Sequence, residues 1–250
     1  MAGHSKWAQI KHKKKIVDAK RGSMFTKLLK EITVAARLGG GDLKGNPRLR
    51  TAVTKAKSVS VPNENIDRAI KKGTGELPGV SYEEATYEGY APGGVAVMVE
   101  TMTDNKTRTV AEIRNIFVKC GGQMGETGCV TWMFSKKGEV IVEKEAASED
   151  TVMEIALEAG AEDLDASGDS FGITTTPDAL ETVRSAIEGK GIKVESAEVN
   201  MIPLNTIRVD SEETARKILR LMETLEDHED VQKVHSNFDI PDDILEKAGA

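Results

Sequence analysis

The stretch GVAVMVETM (residues 94–102) is mostly apolar and rich in β-branched side chains, a composition that predicts a β-strand. Residues 107–119 follow with apolar side chains at helical spacing, and the glycines at 121 and 122 predict where that helix ends. Residues 128–134 (GCVTWMF) then predict another strand, which places Trp132 in the core and completes a β-α-β unit. The side chains expected to face inward from the helix are Val110, Ile113, Phe117 and Val118.

Residues 138–200 hold a complete pattern of six elements. Apolar runs and helix caps alternate there in the order β-α-β-β-α-β, which is the ferredoxin-like arrangement. Ser148 is expected to cap the first helix of this pattern, and Thr176-Pro177 the second. The expected strands span residues 139–142, 161–165, 171–175 and 193–201.

A further β-α-β pattern covers residues 205–238 and has the same shape as the unit around GVAVMVETM. We therefore expect one discontinuous α/β domain made of residues 81–135 and 204–240, with a ferredoxin-like domain at 136–203 inserted into it. Residues 241–250 are expected to form a tail. Three modules in simple succession are the alternative, because chain order alone does not exclude them.

Residues 1–80 are expected to form a basic, all-helical domain behind a flexible leader. SMFTKLLKEITVAARL (23–38) predicts the first helix, with Ser23 as its N-cap. Asn46-Pro47 predicts the start of a second helix, and a third is expected over residues 63–73. The predicted class is therefore α+β and multidomain: an N-terminal helical domain and two ferredoxin-like α/β domains, one inserted into the other.

Charge divides the chain into two unequal parts. Residues 1–75 hold 18 Lys and Arg against 5 Asp and Glu, a balance of +13, while the remainder holds 16 against 36, a balance of −20. Together they give the net charge of −7. A polyanion partner is expected for the basic part, because phosphates neutralised by lysine and arginine release their counterions.

The candidate binding residues lie in the leader and along the predicted helices. On the second helix, Arg48 and Lys55 lie on one flank of the apolar stripe, and Arg50 and Lys57 lie on the other. The alternative for this helix is that its long basic side chains only flank the stripe and extend into water. Trp7 has two open interpretations, stacking on a base or anchoring the leader to its own domain. The residues predicted to contact nucleic acid are Lys6, Trp7, Lys11, His12, Lys13, Lys14, Lys15, Lys20, Arg21, Lys27, Arg48, Arg50, Lys55 and Lys57.

Several classes of protein are disfavoured by the sequence. No apolar run approaches the roughly 18 residues of a membrane helix, and no apolar segment follows the basic leader as in a secretory signal. The sequence holds no Walker A, HExxH or GxSxG motif, and His228 and His235 are interpreted as surface residues. We therefore expect a cytoplasmic protein that is not an enzyme, with no catalytic residue, no cofactor, no metal site and no membrane partner.

Six segments resemble the YebC/PmpR family, and the resemblance runs from residue 1 to about residue 240. Bacterial members of that family carry the description "probable transcriptional regulatory protein", and its mitochondrial relative is a translational activator for cytochrome c oxidase. The segments that carry the resemblance are MAGHSKWAQIKHKK, DAKRGSMFTKLLKEITVAAR, GNPRLRTAVTKAK, NIDRAIKKGTGEL, YEGYAPGGVAVMVE and TDNKTRTVAEIR.

The resemblance implies a helical first domain, two α/β domains and a regulatory role in the cytoplasm. It leaves two nucleic-acid partners open, which are promoter DNA and the ribosomal RNA of the ribosome. The sequence shows no helix-turn-helix with a base-reading set at a helix start, which favours contacts to the phosphate backbone over base readout.

Overall fold

The computed structural model describes residues 18–166 and 170–248, with side chains described from residue 22. The helices of this part of the chain are α1 (Asp18–Gly39), α2 (Pro47–Ser58), α3 (Asn63–Thr74), α4 (Lys106–Lys119), α5 (Glu149–Glu158), α6 (Leu180–Gly189), α7 (Glu212–Asp227) and α8 (Asp242–Ala248). The strands are β1 (Glu83–Tyr90), β2 (Ala96–Thr103), β3 (Gln123–Met124), β4 (Phe134–Glu143), β5 (Ala161–Asp165), β6 (Ser170–Thr175), β7 (Val194–Pro203), β8 (Ile207–Arg208), β9 (Val231–Ser236) and β10 (Phe238–Asp239). The described part has no helix long and apolar enough to cross a membrane.

Helices α1, α2 and α3 pack around an aliphatic core, as the apolar stripes predicted. The cap at the start of α2 is confirmed, because the side chain of Asn46 accepts the backbone N–H of Leu49 at 3.0 Å. The predicted cap at Ser23 is wrong, because α1 already begins at Asp18. Gly22 does not stop the helix there, since one helical glycine costs only about 1 kcal/mol relative to alanine.

The β-α-β-β-α-β pattern of residues 138–200 is confirmed. Strands β4 to β7 form one antiparallel sheet in the order β5-β6-β4-β7, and this is the ferredoxin-like strand order. Ser148 caps α5 as predicted by accepting the backbone N–H of Thr151. The cap predicted at Thr176-Pro177 is wrong, because residues 177–179 form a turn and α6 begins only at Leu180, after an N-cap residue without a side-chain hydrogen bond. Val140, Val142 and Ile173 point from the sheet into the aliphatic core beneath α5 and α6.

A second four-stranded antiparallel sheet has the order β3-β1-β2-β9, and α4 and α7 cover one of its faces. Its strands come from both sides of the ferredoxin-like unit in the chain, as expected for an insertion, and the α+β class is confirmed. The sequence predicted one β-α-β unit on each side of the insertion, and the observed pairing differs from this. Strands β1 and β2 form a hairpin, and β8 pairs with β10 in a separate parallel ladder.

The predicted strand at 128–134 is wrong, and so is the predicted core position of Trp132, whose side chain is 67% exposed. Residues 131–133 form one turn of 3₁₀ helix, and the strand that follows α4 is the short β3. The carboxylate of Glu88 accepts the backbone N–H groups of Gly128, Val130 and Thr131 at 2.8, 2.8 and 2.9 Å. These donors are therefore unavailable to a strand ladder.

Helix α4 buries two of the four side chains expected inside. Ile113 and Phe117 are fully buried, whereas Val110 is half-buried and Val118 is 64% exposed. The side chain of Val118 lies about 100° around the helix from that of Phe117, and this angle carries it to the solvent face. The predicted tail also differs, because α8 packs Leu245 against the core that α4 and α7 cover.

Candidate nucleic-acid interface

Helix α2 carries four of the candidate contact residues, and the structure describes the side chains of all four. Its predicted inner stripe is confirmed, and the exposed part of the helix carries cations and hydroxyl groups. The buried residues of the stripe are Leu49, Ala52, Val53 and Ala56.

One flank of α2 is occupied by ion pairs with carboxylates. Arg48 Nε lies 2.7 Å from an oxygen of Glu31 on α1, and its Nη2 lies 2.7 Å from an oxygen of Glu84 on β1. The hydrogen bond to Glu31, the largest of several contributions, raises the pKa of Arg48 above its ordinary value. Arg48 therefore stays charged and joins two elements of the helical region to the sheet that contains β1.

The second cation on this flank, Lys55, pairs with Glu198 of strand β7. Glu198 also lies 3.1 Å from Lys233 Nζ on β9, so one carboxylate joins the helical region to both sheets. Burial alone would raise the pKa of Glu198, but the charges of Lys55 and Lys233 prevail and lower it to about 2. The carboxylate is consequently ionised at neutral pH.

A buried network holds α1 against the loop before β9. Lys30 Nζ lies 2.6 Å from Asp230 Oδ1, and Asp230 Oδ2 accepts hydrogen bonds from Arg108 at 2.7 Å and Thr109 at 2.8 Å. Although burial opposes it, these donors hold the pKa of Asp230 well below its usual value. Lys27, a predicted contact residue, donates to the backbone carbonyl of Glu226 in the same region.

The other flank of α2 is free of such ion pairs. Arg50 and Lys57 are exposed, and neither has a carboxylate partner among the residues that the structure describes. Within the described part of the chain, the side chain of Arg50 donates to the backbone carbonyl of Leu43, at 3.4 Å. Thr51 and Thr54 lie exposed between the two cations and bond back to carbonyl groups of their own helix. This flank can therefore offer its cations to an external anion.

The contacts of the remaining candidate residues are not described by the structure. The structure describes the backbone of α1 at Lys20 and Arg21, without their side chains. The leader candidates lie outside the described residues, and these are Lys6, Trp7, Lys11, His12, Lys13, Lys14 and Lys15.

The structure also corrects the interpretation of the histidines. His235 is buried in β9, and its Nε2 lies 3.1 Å from Glu100. His228 is half-buried, and its Nε2 lies 2.9 Å from Glu112. Glu112, His228 and Asp230 bring three ligand-type atoms within 4.8 Å of one another, but Asp230 already accepts from Lys30, Arg108 and Thr109. The cluster is therefore explained as part of the ion-pair network.

Comparison with known proteins identifies the family. A model described as the TACO1/YebC protein N-terminal domain matches residues 5–76, and a model described as the TACO1/YebC second and third domain matches residues 82–238. The chain belongs to the TACO1/YebC family. The two matches meet between the end of α3 and the start of β1.

Relatives of this TACO1/YebC chain match it over its whole length. A "probable transcriptional regulatory protein" of Syntrophus aciditrophicus is 57% identical over 251 residues and covers all of both chains. A protein of the same description from Desulfatibacillum aliphaticivorans is 58% identical and covers 98% of this chain and 99% of its own. A crystal structure described as a conserved hypothetical protein, Aq1575 from Aquifex aeolicus, is 50% identical, with a TM-score of 0.87 over 96% of this chain and 98% of its own.

The internal carboxylate partners of the basic region were missed by sequence reasoning. Glu84, Glu198 and Asp230 lie far along the chain from the cations that they meet. The surplus of 20 negative charges after residue 75 was the available signal, because a basic region beside acidic domains has partners within its own chain.

Proposed function

We propose that this TACO1/YebC chain is a non-enzymatic regulator that binds nucleic acid, with promoter DNA as its target. The curated relatives at 57% and 58% identity are named probable transcriptional regulatory proteins. The helical region, with its leader, supplies the contact surface, and the acidic α/β regions hold that surface in place. The balance of +13 in residues 1–75 supports a phosphate-bearing partner.

The observation that carries the proposal is that the two flanks of helix α2 differ in how their cations are paired. Arg48 and Lys55 neutralise carboxylates of the same chain, whereas Arg50 and Lys57 on the opposite flank have no carboxylate partner among the described residues. A purely solvated face would mix both signs of charge, and this face has cations and hydroxyl groups. The functional surface in the proposal therefore includes Arg50 and Lys57 together with the basic leader, while Arg48 and Lys55 position the helix.

Recognition in this proposal rests on the phosphate backbone. A side chain that reads base edges approaches as a bidentate donor or acceptor from an element seated in a groove. The exposed face of α2 has two separated cations and the hydroxyl groups of Thr51, Thr54 and Ser58, which are suited to phosphate oxygens. Binding is therefore expected to respond strongly to salt and weakly to sequence.

Ribosomal RNA is the second candidate target, in a factor that acts on the ribosome during translation. The same phosphate-directed surface favours it, because folded RNA is recognised mainly by its shape and backbone. The resemblance to the YebC/PmpR family also supports this candidate, because the mitochondrial relative of that family is a translational activator for cytochrome c oxidase. Both targets share the chemistry of a phosphate backbone.

The experiment is an affinity titration of the full chain against duplex DNA and against a folded ribosomal RNA fragment, each between 50 and 200 mM salt. A surface that makes six to ten phosphate contacts is expected to lose about 10³- to 10⁵-fold in affinity across that interval. A flat response with both nucleic acids contradicts the proposal. Tighter binding to the RNA at every salt concentration selects the second candidate over the first.

A further inference from the structure

An open cavity of about 290 Å³ lies in the helical region between α1 and α3. Its lining includes Leu29 and Lys30 of α1, Arg68 and Lys72 of α3, and Tyr82, which directly precedes β1. The nine residues that line it include three cations and no carboxylate. Its volume is close to the lower limit of about 300 Å³ for pockets that bind small molecules.

The cationic wall of the cavity is one face of α3. Asn65, Arg68 and Lys72 are three and four positions apart, so the geometry of the helix places their side chains next to one another. Within the described part of the chain, the Asn65 amide and the Lys72 ammonium have no hydrogen-bond partner. Arg68 donates to Glu64 at 2.8 Å, but both side chains are exposed, and such a pair contributes about 1 kcal/mol or less. Arg68 and Lys72 can therefore bind an external anion.

The stem of Lys72 packs on the segment that follows α3. Its Cβ, Cγ and Cδ atoms lie 3.2, 3.2 and 3.3 Å from the position that a Cβ atom would take at Gly79. The glycine leaves room for the methylene groups of the stem to lie against the backbone. This contact limits the positions that the ammonium group of Lys72 can reach.

The aromatic wall of the cavity is Tyr82, which two contacts hold in place. Lys30 Nζ lies 5.4 Å from the centre of its ring, and Arg37 donates to its backbone carbonyl. Lys30 is itself paired with Asp230 at 2.6 Å, so its charge is already neutralised. The Tyr82 ring and the side chain of Leu29 supply the apolar area of the cavity. A ring that is positioned before binding loses little conformational entropy when a ligand covers it.

The composition of the lining indicates the class of ligand. Proteins that bind nucleotides combine an aromatic ring with neighbouring cations, because the ring stacks on the base and the cations bind the phosphate. The guanidinium of Arg68 matches two phosphate oxygens at once, and Lys72 adds a point charge. A bare phosphate would leave the apolar area beside Tyr82 uncovered. A divalent metal ion prefers carboxylate ligands, and the lining has none.

We propose that this cavity binds a single nucleotide, with the base on Tyr82 and the phosphate on Arg68 and Lys72. The nucleotide is either free in solution or one unit of a nucleic acid strand, and both sources present the same chemistry to the cavity. The inference goes beyond the proposed function, because it concerns a different surface from that of Arg50 and Lys57. Free nucleotides test it without any nucleic acid.

The test is a calorimetric titration of the full chain with each of the four ribonucleoside 5′-monophosphates, at about 50 mM salt so that screening of charges is weak. The matched nucleosides, which lack the phosphate, and inorganic phosphate are titrated as controls. At least one nucleotide is expected to bind at least tenfold more tightly than its nucleoside and than inorganic phosphate. The reason is that only the nucleotide covers the ring and meets the cations together.

Two variants test the two walls of the cavity separately. Arg68→Gln/Lys72→Gln removes both cations of α3 and is expected to weaken nucleotide binding about tenfold or more. Tyr82→Leu removes the stacking ring and is expected to weaken it about fivefold or more. The control Lys190→Gln/Lys193→Gln removes the same charge from exposed positions of the ferredoxin-like unit and should keep the wild-type affinity. Melting temperatures verify that each variant is folded.

A single-stranded hexanucleotide distinguishes the two sources of the nucleotide. Tyr82→Leu is the variant to use, because it leaves the charge of the chain unchanged. If it weakens binding of the strand by the same factor as binding of the mononucleotide, the cavity takes one nucleotide of a strand. If it weakens binding of the mononucleotide alone, the cavity takes a free nucleotide. Both results support the site.

Three results would overturn the proposal. The first is that none of the four nucleotides binds, or that none binds more tightly than inorganic phosphate. The second is that Arg68→Gln/Lys72→Gln leaves nucleotide affinity unchanged. The third is an equal loss in this variant and in the Lys190→Gln/Lys193→Gln control, which would show general attraction of charge. None of these results bears on the salt-dependent binding of DNA by Arg50 and Lys57, so the two proposals fail independently.

Discussion

Lys55 on helix α2 and Glu198 on strand β7 form an ion pair although 143 positions separate them in the chain. The basic region thereby uses part of its charge inside the molecule, while Arg50 and Lys57 on the opposite flank of α2 have no carboxylate partner in the described part of the chain. The cations on one flank of α2 therefore hold the helix in place, and those on the other flank are available to a partner. The predictions below differ accordingly for the two flanks.

Glu198→Gln is expected to strengthen binding to nucleic acid. The substitution frees Lys55 and Lys233 from their carboxylate, and both cations then add to the positive surface. We expect the midpoint of urea unfolding to fall only slightly, because partly exposed ion pairs contribute about 1 kcal/mol or less. The measurement is affinity for duplex DNA at 100 mM salt, with Glu188→Gln as a charge-matched control at an exposed site of α6. Weaker binding than that of the control would contradict the role assigned to Lys55.

Asp230→Asn is expected to destabilise the chain far more. Asp230 is fully buried and is the shared partner of Lys30, Arg108 and Thr109, so the substitution leaves a buried lysine without its counter-charge. Removal of one member of a buried pair costs about 3–5 kcal/mol of unfolding free energy. Urea unfolding followed by circular dichroism measures this loss, and Asp178→Asn at an exposed position is the control. A loss equal to that of Asp178→Asn would contradict the network.

Acid is expected to weaken the same contacts. The folded-state pKa of Glu198 is lowered from 4.5 to about 2, so its stabilising effect is complete above about pH 5 and is lost as the pH falls from 4.5 toward 2. The pKa of Asp230 is also lowered, which gives the same sign. The difference in unfolding free energy between wild type and Glu198→Gln should therefore shrink between pH 5 and pH 3. A difference that grows on acidification would show that the pKa of Glu198 is raised instead.

Glu88→Gln is expected to loosen the turn formed by residues 125–133, which carries Trp132. A glutamine has one acceptor oxygen and no charge, so it cannot replace the carboxylate that binds Gly128, Val130 and Thr131. Hydrogen exchange at these three amides should become at least tenfold faster, which corresponds to about 1.4 kcal/mol. Glu126→Gln on the exposed part of the same turn is the control. Unchanged exchange in Glu88→Gln would contradict the assigned role of Glu88.

The sequence predicted well those elements whose signals are local. The ferredoxin-like unit was found because its strands have their own apolar runs, as at Val140–Val142, and its first helix has its own cap at Ser148. The strand at 128–134 was mispredicted because its composition resembles a strand while its N–H groups are bound by Glu88, 40 positions earlier in the case of Gly128. No local pattern reveals a partner at such a distance.

For the candidate interface, the sequence predicted the two flanks of α2 but not their partners. Helical spacing correctly separated Arg48 and Lys55 from Arg50 and Lys57, because the positions around a helix follow from its geometry. Spacing could not show which flank faces the acidic regions, since Glu84 and Glu198 reach α2 only through the tertiary fold. The exposure of Trp132 was hidden for the same reason.

The most direct test of the account is the salt dependence of binding after the exposed flank is neutralised. Arg50→Gln/Lys57→Gln is compared with Lys190→Gln/Lys193→Gln, which removes the same charge at exposed positions of the ferredoxin-like unit. For duplex DNA, loss of two phosphate contacts should reduce the slope of log affinity against log salt by about two, and the control should keep the wild-type slope. An unchanged slope in the first variant, or an equal reduction in both, would contradict the assignment of Arg50 and Lys57 to the binding surface.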